Sequence, residues 1–451
     1  MPAIITDRFR IHNSEQFQEA FSEASPNTMY LGIGRPQPFA TSTRGDARTN
    51  NEGTDTSPVT PADNLNAQHF PFDDMLAAKK IASSDVSFAI PRRNWTTGVI
   101  YDYYRHDYGE YITGGTTAQT SNSTASTLFD ATFYVLTTDR NIYKCLDNNS
   151  NAASTVEPTG TSTAILATAD GYKWKYMYTL SASQQANFLS TDFMAVATDS
   201  TVSSAAIAGQ IDIIKIKAAG TGGTNGTHTG VAIKGDGSSG VCSVTVAGGV
   251  VTVVTITAAG TGYTYGTISN AEIVTAGATS LTGAELDVII SPQGGHGFNA
   301  VEELGGFYVM LNTSLEGTES SNSGDVTVSN DFRKITLIRD PESSSAAATA
   351  NTLRATRAIN ITGVSGAYVI DEKITQTTTG AVGKVVEWDS TNSILYYIQT
   401  RHTNEGLDTN GNQTAFSGTN VVTGAGGATG TPTTSTSTIN NVVFVSGYSV
   451  S

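Results

Sequence analysis

Cysteine is nearly absent from this 451-residue chain: Cys145 and Cys242 stand far apart in unlike contexts. Neither a disulfide framework nor a cysteine-rich metal site can be assembled from them, and we expect synthesis in a reducing cytoplasm. Charge is also scarce. Asp, Glu, Lys and Arg make up 14% of residues, against about 25% in an average globular protein. Positive charge is the scarcer sign, with 25 basic against 40 acidic side chains and a formal charge of -15. Affinity for a phosphate backbone comes largely from clustered Lys and Arg, and no basic stripe occurs, so nucleic acid is not an expected partner. Long apolar runs are missing too. The most apolar stretch, residues 241–259, is broken by Ser243, Thr245, Gly248, Gly249, Thr252, Thr255 and Thr257, which a lipid-exposed helix of about 20 residues would not accept. No membrane span is expected. The first twelve residues lack the apolar core and small-residue cleavage site of a secretory signal, so the mature chain is expected to begin at Met1. Proline is low as well, at 12 residues, while 18 Tyr, 16 Phe and 3 Trp are spread along the chain. That composition excludes wholesale disorder.

What fills the space is Thr, Ser, Ala, Asn and Gly, and it is unevenly distributed. Near the start, Asn13 can cap a helix in which Phe17, Ala20, Phe21 and Ala24 recur on one face, with Gln16 placed as in a capping box and Ser25-Pro26 as the stop. Residues 40–66 read as a surface loop. A second short helix is expected over residues 72–81, with Pro71 in its first turn, Asp73 and Asp74 at the positive end of its dipole and Lys79 and Lys80 at the negative end. Beyond Ile81 the pattern is β. Residues 132–136 and 142–146 read as strands around Thr137-Thr138-Asp139-Arg140, and residues 172–180 as a half-buried strand with an aromatic face. Residues 114–126 and 148–163 are low-complexity connections.

At about Ser203 aromatics thin out and Gly, Val, Ala and Thr dominate to about Gln293. Here Ala218-Ala219-Gly220-Thr221-Gly222 with Thr224, Gly226 and Thr227 recurs as Ala258-Ala259-Gly260-Thr261-Gly262 with Thr264, Gly266 and Thr267, an internal repeat whose copies each follow a β-rich run. Between them, Gly248-Gly249 flanked by residues 241–246 and 250–256 is a hairpin signal, because both turn positions can take positive φ. Aromatic and acidic residues return at Phe298, Glu302, Glu303, Phe307 and Tyr308, and residues 332–338 read as a strand ending at Asp340-Pro341. After the linker-like run 343–348, strands are expected over 368–370, 382–388 and 394–399, with turns at Thr379-Gly380 and residues 389–392. The tail 424–438 is too poor in side-chain volume to build a core of its own, and must be pinned on a neighbour or stay loose.

A search for chemistry finds little. Gly220-Thr221-Gly222-Gly223 does not complete a dinucleotide-binding spacing, and Gly380-Ala381-Val382-Gly383-Lys384 is too short for a phosphate loop and reads as one arm of a hairpin. The six histidines, His12, His69, His106, His228, His296 and His402, lie in separate segments without ligand spacing, so no metal or cofactor is expected. Asp102, His106 and Asp107 are close in sequence, but Tyr101, Tyr103, Tyr104, Tyr108 and Tyr111 surround them. Tyr is enriched at protein interfaces, which favours an aromatic contact surface over a catalytic dyad. Glu302-Glu303 could serve hydrolysis of a polysaccharide only if they converged, and adjacent side chains on a strand diverge. The chain is not expected to be an enzyme.

The segment Ala89-Ile90-Pro91-Arg92-Arg93-Asn94-Trp95 resembles part of the small wedge subunit of the baseplate, of the gene-product-8 type, in contractile-tailed phages of the T-even group. Three segments agree in the same order: Tyr143-Lys144-Cys145-Leu146-Asp147, then Asp170-Gly171-Tyr172-Lys173-Trp174-Lys175-Tyr176, then Asp331-Phe332-Arg333-Lys334-Ile335-Thr336-Leu337-Ile338. The resemblance covers approximately residues 4–197 and 297–341. It implies a mainly β fold, a layered β-sandwich core with two short α-helices; the two inserted small β-modules lie outside the resemblance and are expected from composition. The divisions expected are 1–203 for the first part of the core, 204–293 for the Gly/Thr/Val-rich module, 294–345 for the second part of the core, and 346–451 for a C-terminal β-module and tail. It also implies a homodimer that joins other wedge proteins in the virion's tail baseplate, after assembly in the host cytoplasm, and rearranges when the tail contracts. Arg92 and Arg93 would supply multidentate donors and Trp95 an anchor for a partner surface, or the same residues would form an internal corner. With Tyr101, Tyr103, Tyr104 and Tyr108 they make up the candidate interface. The alternative from another class is a tail-fibre or adhesin-like protein that binds host glycans, suggested by the Gly/Thr repeats and the tyrosines.

Overall fold

A computed structural model describes residues 6–23, 27–36, 38–39, 42–43, 49–50, 53–58, 75–109, 119–315, 331–343, 346–347, 356–399, 405–416 and 420–433. The fold is mainly β, with five short helices among the described residues where two were expected. The chain divides into two compact units: Met1–Glu19 with Val86–Asn312, and Ala20–Asp85 with Thr313–Ser451.

The first unit is built around the aromatic strands. Tyr134–Leu136 and Asn141–Asp147 pair antiparallel across the expected turn, in which Arg140 takes a left-handed φ of 64°. Lys173–Thr179 pairs with the other side of Asn141–Asp147, and Leu166–Ala167 completes a four-stranded sheet. The expected half-burial of this strand is corrected: Trp174 to Tyr178 are all buried. The reason lies on both sides of the sheet. Ile142, Leu146 and Tyr178 face one cluster with Ile90, Phe133 and Met194, while Tyr143, Cys145, Trp174 and Tyr176 face another with Tyr101, Tyr172 and Val202. Alternation toward two apolar layers buries both faces of the strand. Phe193–Ala195, Val86–Pro91 and Tyr308–Leu311 form a second, three-stranded sheet.

The first helix spans Asp7–Glu19 and begins earlier than expected. Thr6 is its cap, with its hydroxyl accepting from the Phe9 N–H at 3.3 Å. Asn13 therefore sits in mid-helix, Gln16 reaches Glu19 instead of the helix start, and the Ser25-Pro26 stop lies outside the described residues. Glu302 and Glu303 lie on the helix Ala300–Leu304, not on a strand. Asn299 caps that helix by accepting from the Val301 and Glu302 N–H groups, so the local signal was the Asn three residues before the acid pair.

Within the same unit, Ile211–Thr221 pairs with Thr282–Ile290 as a two-stranded ribbon, and Gly226–Ala232, Ser238–Ala247 and Val250–Thr261 form a three-stranded sheet. The hairpin at Gly248-Gly249 is present, with φ of 63° and 77°. The sequence repeat is also a repeat of backbone conformation: Gly220 and Gly222 have φ of 67° and 75°, and Gly260 and Gly262 have φ of 65° and 75°. A side chain at Gly260 would meet the Ser238 carbonyl oxygen at 2.6 Å, so close approach as well as φ requires glycine there. Val231, Cys242, Val244, Val246, Tyr263, Ile273 and Leu281 pack with Ile211 and Ile290 into a core made from this segment alone.

In the second unit, Lys334–Arg339, Met29–Gly34 and Met75–Lys80 form a three-stranded antiparallel sheet. The expected helix over residues 72–81 is thus a strand where it is described; Pro71, Asp73 and Asp74 lie outside the described residues. Met, Leu, Ala and Lys favour a helix locally, but Met75 to Ala78 are four consecutive buried residues. Leu76 and Ala77 pack with Ile33, Ala358 and Tyr396, while Met75 and Ala78 pack with Tyr30. A strand with two covered faces satisfies that burial, and tertiary packing overrides propensity.

The later strands form a closed barrel in the order Arg357–Ser365, Ile394–Ile398, Ala381–Asp389, Lys373–Gln376, Val422–Gly424 and Thr429–Pro432. The strand expected at Tyr368 to Ile370 is irregular, and Lys373–Gln376 takes its place. Tyr368 is turned inward, donating its hydroxyl to the Val422 carbonyl at 2.8 Å. Gly380 follows the expected hairpin turn. The low-volume tail is pinned as far as it is described, because Val422–Gly424 and Thr429–Pro432 close the barrel through backbone hydrogen bonds that need no side-chain bulk.

Candidate functional site

The arginine pair follows directly from the end of the Val86–Pro91 strand. The Arg92 backbone N–H donates to Asp192 O at 2.8 Å, and its guanidinium to Asn94 Oδ1 at 3.0 Å and Ser190 O at 2.8 Å. Arg93 donates to the carbonyls of Ala131, Phe129 and Asp130, and lies over the Tyr134 ring at 4.6 Å. Trp95 donates Nε1–H to Ser154 Oγ at 3.1 Å. Tyr101 is buried, its hydroxyl accepting from the Thr96 N–H and donating to Thr96 O. Burial raises its pKa. Tyr108 donates to Tyr103 O at 2.7 Å, while Tyr103 carries Lys215 Nζ 4.7 Å above its ring. Tyr104 is buried against His296, edge to face at 5.0 Å. Each of the seven side chains thus has a partner within the chain. Between them, Val99 and Ile100 are each 40% exposed on a loop held by Gly98 N–H to Ser154 O and Ser154 N–H to Val99 O.

The two carboxylates nearest His106 in sequence are engaged by other donors. Asp102 is buried and accepts from the backbone N–H and hydroxyl of both Ser123 and Thr132. Burial pushes its pKa up, but those four donors outweigh it and hold the carboxyl below its usual range. Asp102 organises three segments of loop. His106 Nδ1 accepts from the Ile290 N–H, and Asp107 pairs with Arg105, which also reaches Asp287 at 2.7 Å. Tyr111 lies outside the described residues. Among the described residues, no three His, Cys, Asp or Glu side chains are placed to hold a metal ion, and no helix is long and apolar enough to cross a membrane. Cys145 and Cys242 are both buried thiols.

The structure assembles a polar cluster that spacing did not announce. Lys144 and Glu303 form an ion pair with side-chain exposures of 0% and 2%, and Glu303 also accepts from the Gly297 and Asn299 N–H groups. Lys144 Nζ lies 4.9 Å from the Tyr104 ring centre. Lys175 donates to Thr163 O. His296 Nε2 stands 4.0 Å from Asp212 Oδ2, and its buried Nδ1 has no hydrogen-bond partner among the described residues. Lys144 and Lys175 come from the aromatic sheet, Asp212 from the first strand of the ribbon, and His296 and Glu303 from the chain that follows the second.

Burial first, then the positive charges of Lys144 and Lys175, hold the His296 imidazole well below its ordinary pKa of 6.5. The unfolded chain therefore takes up a proton that the folded chain refuses. The stability this histidine contributes is present above about pH 6.5 and is lost as pH falls toward the depressed folded value. Asp212 acts in the opposite sense: burial raises its carboxyl pKa, so its contribution is lost as pH rises through the folded value. We expect His296→Gln to flatten the fall in unfolding free energy between pH 7 and pH 5, measured by urea titration at each pH. An undiminished slope in the variant would show that another group controls it.

The comparison that bears on this mainly β chain is with a structural protein family of phage particles. Residues 3–152 match the family model of bacteriophage T4 Gp8, the baseplate wedge subunit. The match covers part of the chain and supports a structural role in a phage baseplate wedge. No curated protein matches the chain.

Proposed function

We propose that this chain is a structural component of a phage tail baseplate wedge, which forms a homodimer, links neighbouring wedge proteins and rearranges when the tail contracts. The observation that carries the reading is the family match over residues 3–152, which includes Pro91, Arg92, Arg93 and Trp95. In this reading, residues 1–203 and 294–345 make up the wedge-subunit core, 204–293 an inserted module and 346–451 a C-terminal module. Arg92, Arg93, Trp95, Tyr101, Tyr103, Tyr104 and Tyr108 stiffen the contact surface from within. Val99 and Ile100 are the large apolar side chains that it leaves exposed to a partner. Anchors held by internal hydrogen bonds and ring contacts, with Tyr101 and Tyr104 buried and the other five half-buried, suit an interface that must form in one geometry.

Reconstruction of intact particles by cryo-electron microscopy tests this. Density for the chain is expected in the baseplate, repeated around the tail axis. Density confined to fibres, with glycan bound, would replace the wedge reading by an adhesin.

A further inference from the structure

One side chain of the buried polar cluster lacks the partners it would need if it were charged. Tyr104 meets the His296 ring edge to face, Lys144 and Lys175 act on it from the aromatic sheet, and Asp212 from the ribbon. Glu303, on the helix Ala300–Leu304, is engaged by Lys144 and by the Gly297 and Asn299 N–H groups. His296 Nδ1 has no hydrogen-bond partner among the described residues, and Nε2 lies beyond hydrogen-bond distance of Asp212. A neutral ring leaves one donor unmet here. An imidazolium would leave two and would add a charge beside two ammonium groups. Asp212 is poorly placed to answer it: its Oδ1 accepts from Gln210 at 2.9 Å, and burial raises its pKa, so it takes up a proton itself in acid.

The backbone around the ring can yield without unpacking a core. His296 sits between Gly295 and Gly297, whose φ values of 98° and 93° lie in the left-handed region, so both flanking residues have wide conformational freedom. Among the described residues, none from 292 to 299 joins an apolar cluster. The segment is held by hydrogen bonds: Gly295 N–H to Pro292 O at 2.8 Å, Phe298 N–H to Gly295 O at 3.3 Å, Ser203 Oγ to Phe298 O at 2.7 Å, and the two N–H groups on Glu303. We propose that residues 292–299 form an acid-operated latch: protonation of His296 expels the ring, opens the segment and frees the Gly297 and Asn299 N–H groups from Glu303. Both apolar cores of the unit stay assembled. The ion pairs Lys215–Asp147 and Arg105–Asp287 still hold the ribbon, so what loosens is the return of the chain from the inserted module to the core. A histidine suits such a device because its ordinary pKa lies within the range of mild acid. The latch does not depend on the wedge reading, and either can fail without the other.

Hydrogen exchange of the full chain at about pH 7.5 and about pH 5.5, corrected for the intrinsic pH dependence of amide exchange, tests this. One pH unit below the ordinary imidazole pKa, the open segment, which takes the proton, gains about tenfold over the closed one. Peptides covering residues 292–299 are therefore expected to exchange about tenfold faster at the lower pH. Peptides from Asn141–Asp147, Lys173–Thr179 and Val250–Thr261 are expected to keep their protection. His296→Gln is expected to abolish the acceleration. Lys175→Met is expected to reduce it, because removing one ammonium lets the closed segment keep a protonated ring. Near-ultraviolet circular dichroism at neutral pH checks that each variant folds, and the native chain is informative by itself. No acceleration at 292–299, an acceleration shared equally by the sheets, or one that persists in folded His296→Gln overturns the latch.

Discussion

Glu303→Ala is expected to lower the unfolding free energy of the first unit by about 3–5 kcal/mol, because it strands a buried ammonium. Lys144 has no exposed surface, and its nearest compensation is the Glu303 carboxylate. Burial lowers the Lys144 pKa, and the attraction of Glu303 opposes that shift. Without the carboxylate, the lysine must be folded neutral or carry an unpaired charge in a buried site beside the Tyr104 ring. The loss extends beyond the pair, since the Gly297 and Asn299 N–H groups also lose their acceptor. Lys144→Met combined with Glu303→Leu is expected to recover most of the stability, because an apolar pair removes the charge that has to be compensated. Urea unfolding of the two variants beside the parent chain checks both statements. A double variant as unstable as Glu303→Ala would show that the carboxylate matters chiefly as an acceptor for the backbone.

Trp174→Ala is expected to cost about 3–5 kcal/mol, the range for deleting a large aromatic side chain from a packed core. Trp174 is fully buried, stacks on Tyr172 with ring centres 5.4 Å apart, and meets Tyr101 edge-on at 5.8 Å. Its removal leaves a hole beneath the segment that carries Tyr101 to Tyr108, so the near-ultraviolet signal of the tyrosines should weaken together with stability. Trp174→Phe is expected to cost less than half as much. The indole Nε1–H has no hydrogen-bond partner among the described residues, so the smaller ring forfeits volume without breaking a polar contact there. A tyrosine signal unchanged in the alanine variant would mean that Tyr101 is held by its Thr96 hydrogen bonds alone.

The parts legible in the sequence were those governed by local backbone chemistry. Gly248-Gly249 turns a hairpin because two adjacent glycines accept positive φ, and the repeated Ala-Ala-Gly-Thr-Gly produces the same pair of left-handed glycines twice. Thr137 to Arg140 and Thr379-Gly380 lie between strands for similar reasons. The segment from Met75 to Lys80 shows the limit of such reading. Its residues prefer a helix and its end charges suit one, yet the stretch is a strand because Tyr30 and Ile33 on one neighbouring strand need cover on both faces. Lys144 and Lys175 show the same limit for charge. Lysine alternating with aromatics on a strand reads as a solvated face, and only burial by the chain around Gly297 to Leu304 turns that face into a core.

Composition and spacing were enough to establish a mainly β chain, a Gly-turned repeat, and the Arg92-Arg93-Trp95 segment, because turn residues and alternation act over a few neighbours. Three-dimensional packing alone made Lys144, Asp212, His296 and Glu303 meet and closed the late strands into a barrel with a tail of almost no side-chain volume. Those outcomes depend on residues far apart in the chain, and the energy that decides them is burial shared between elements, which no single segment carries.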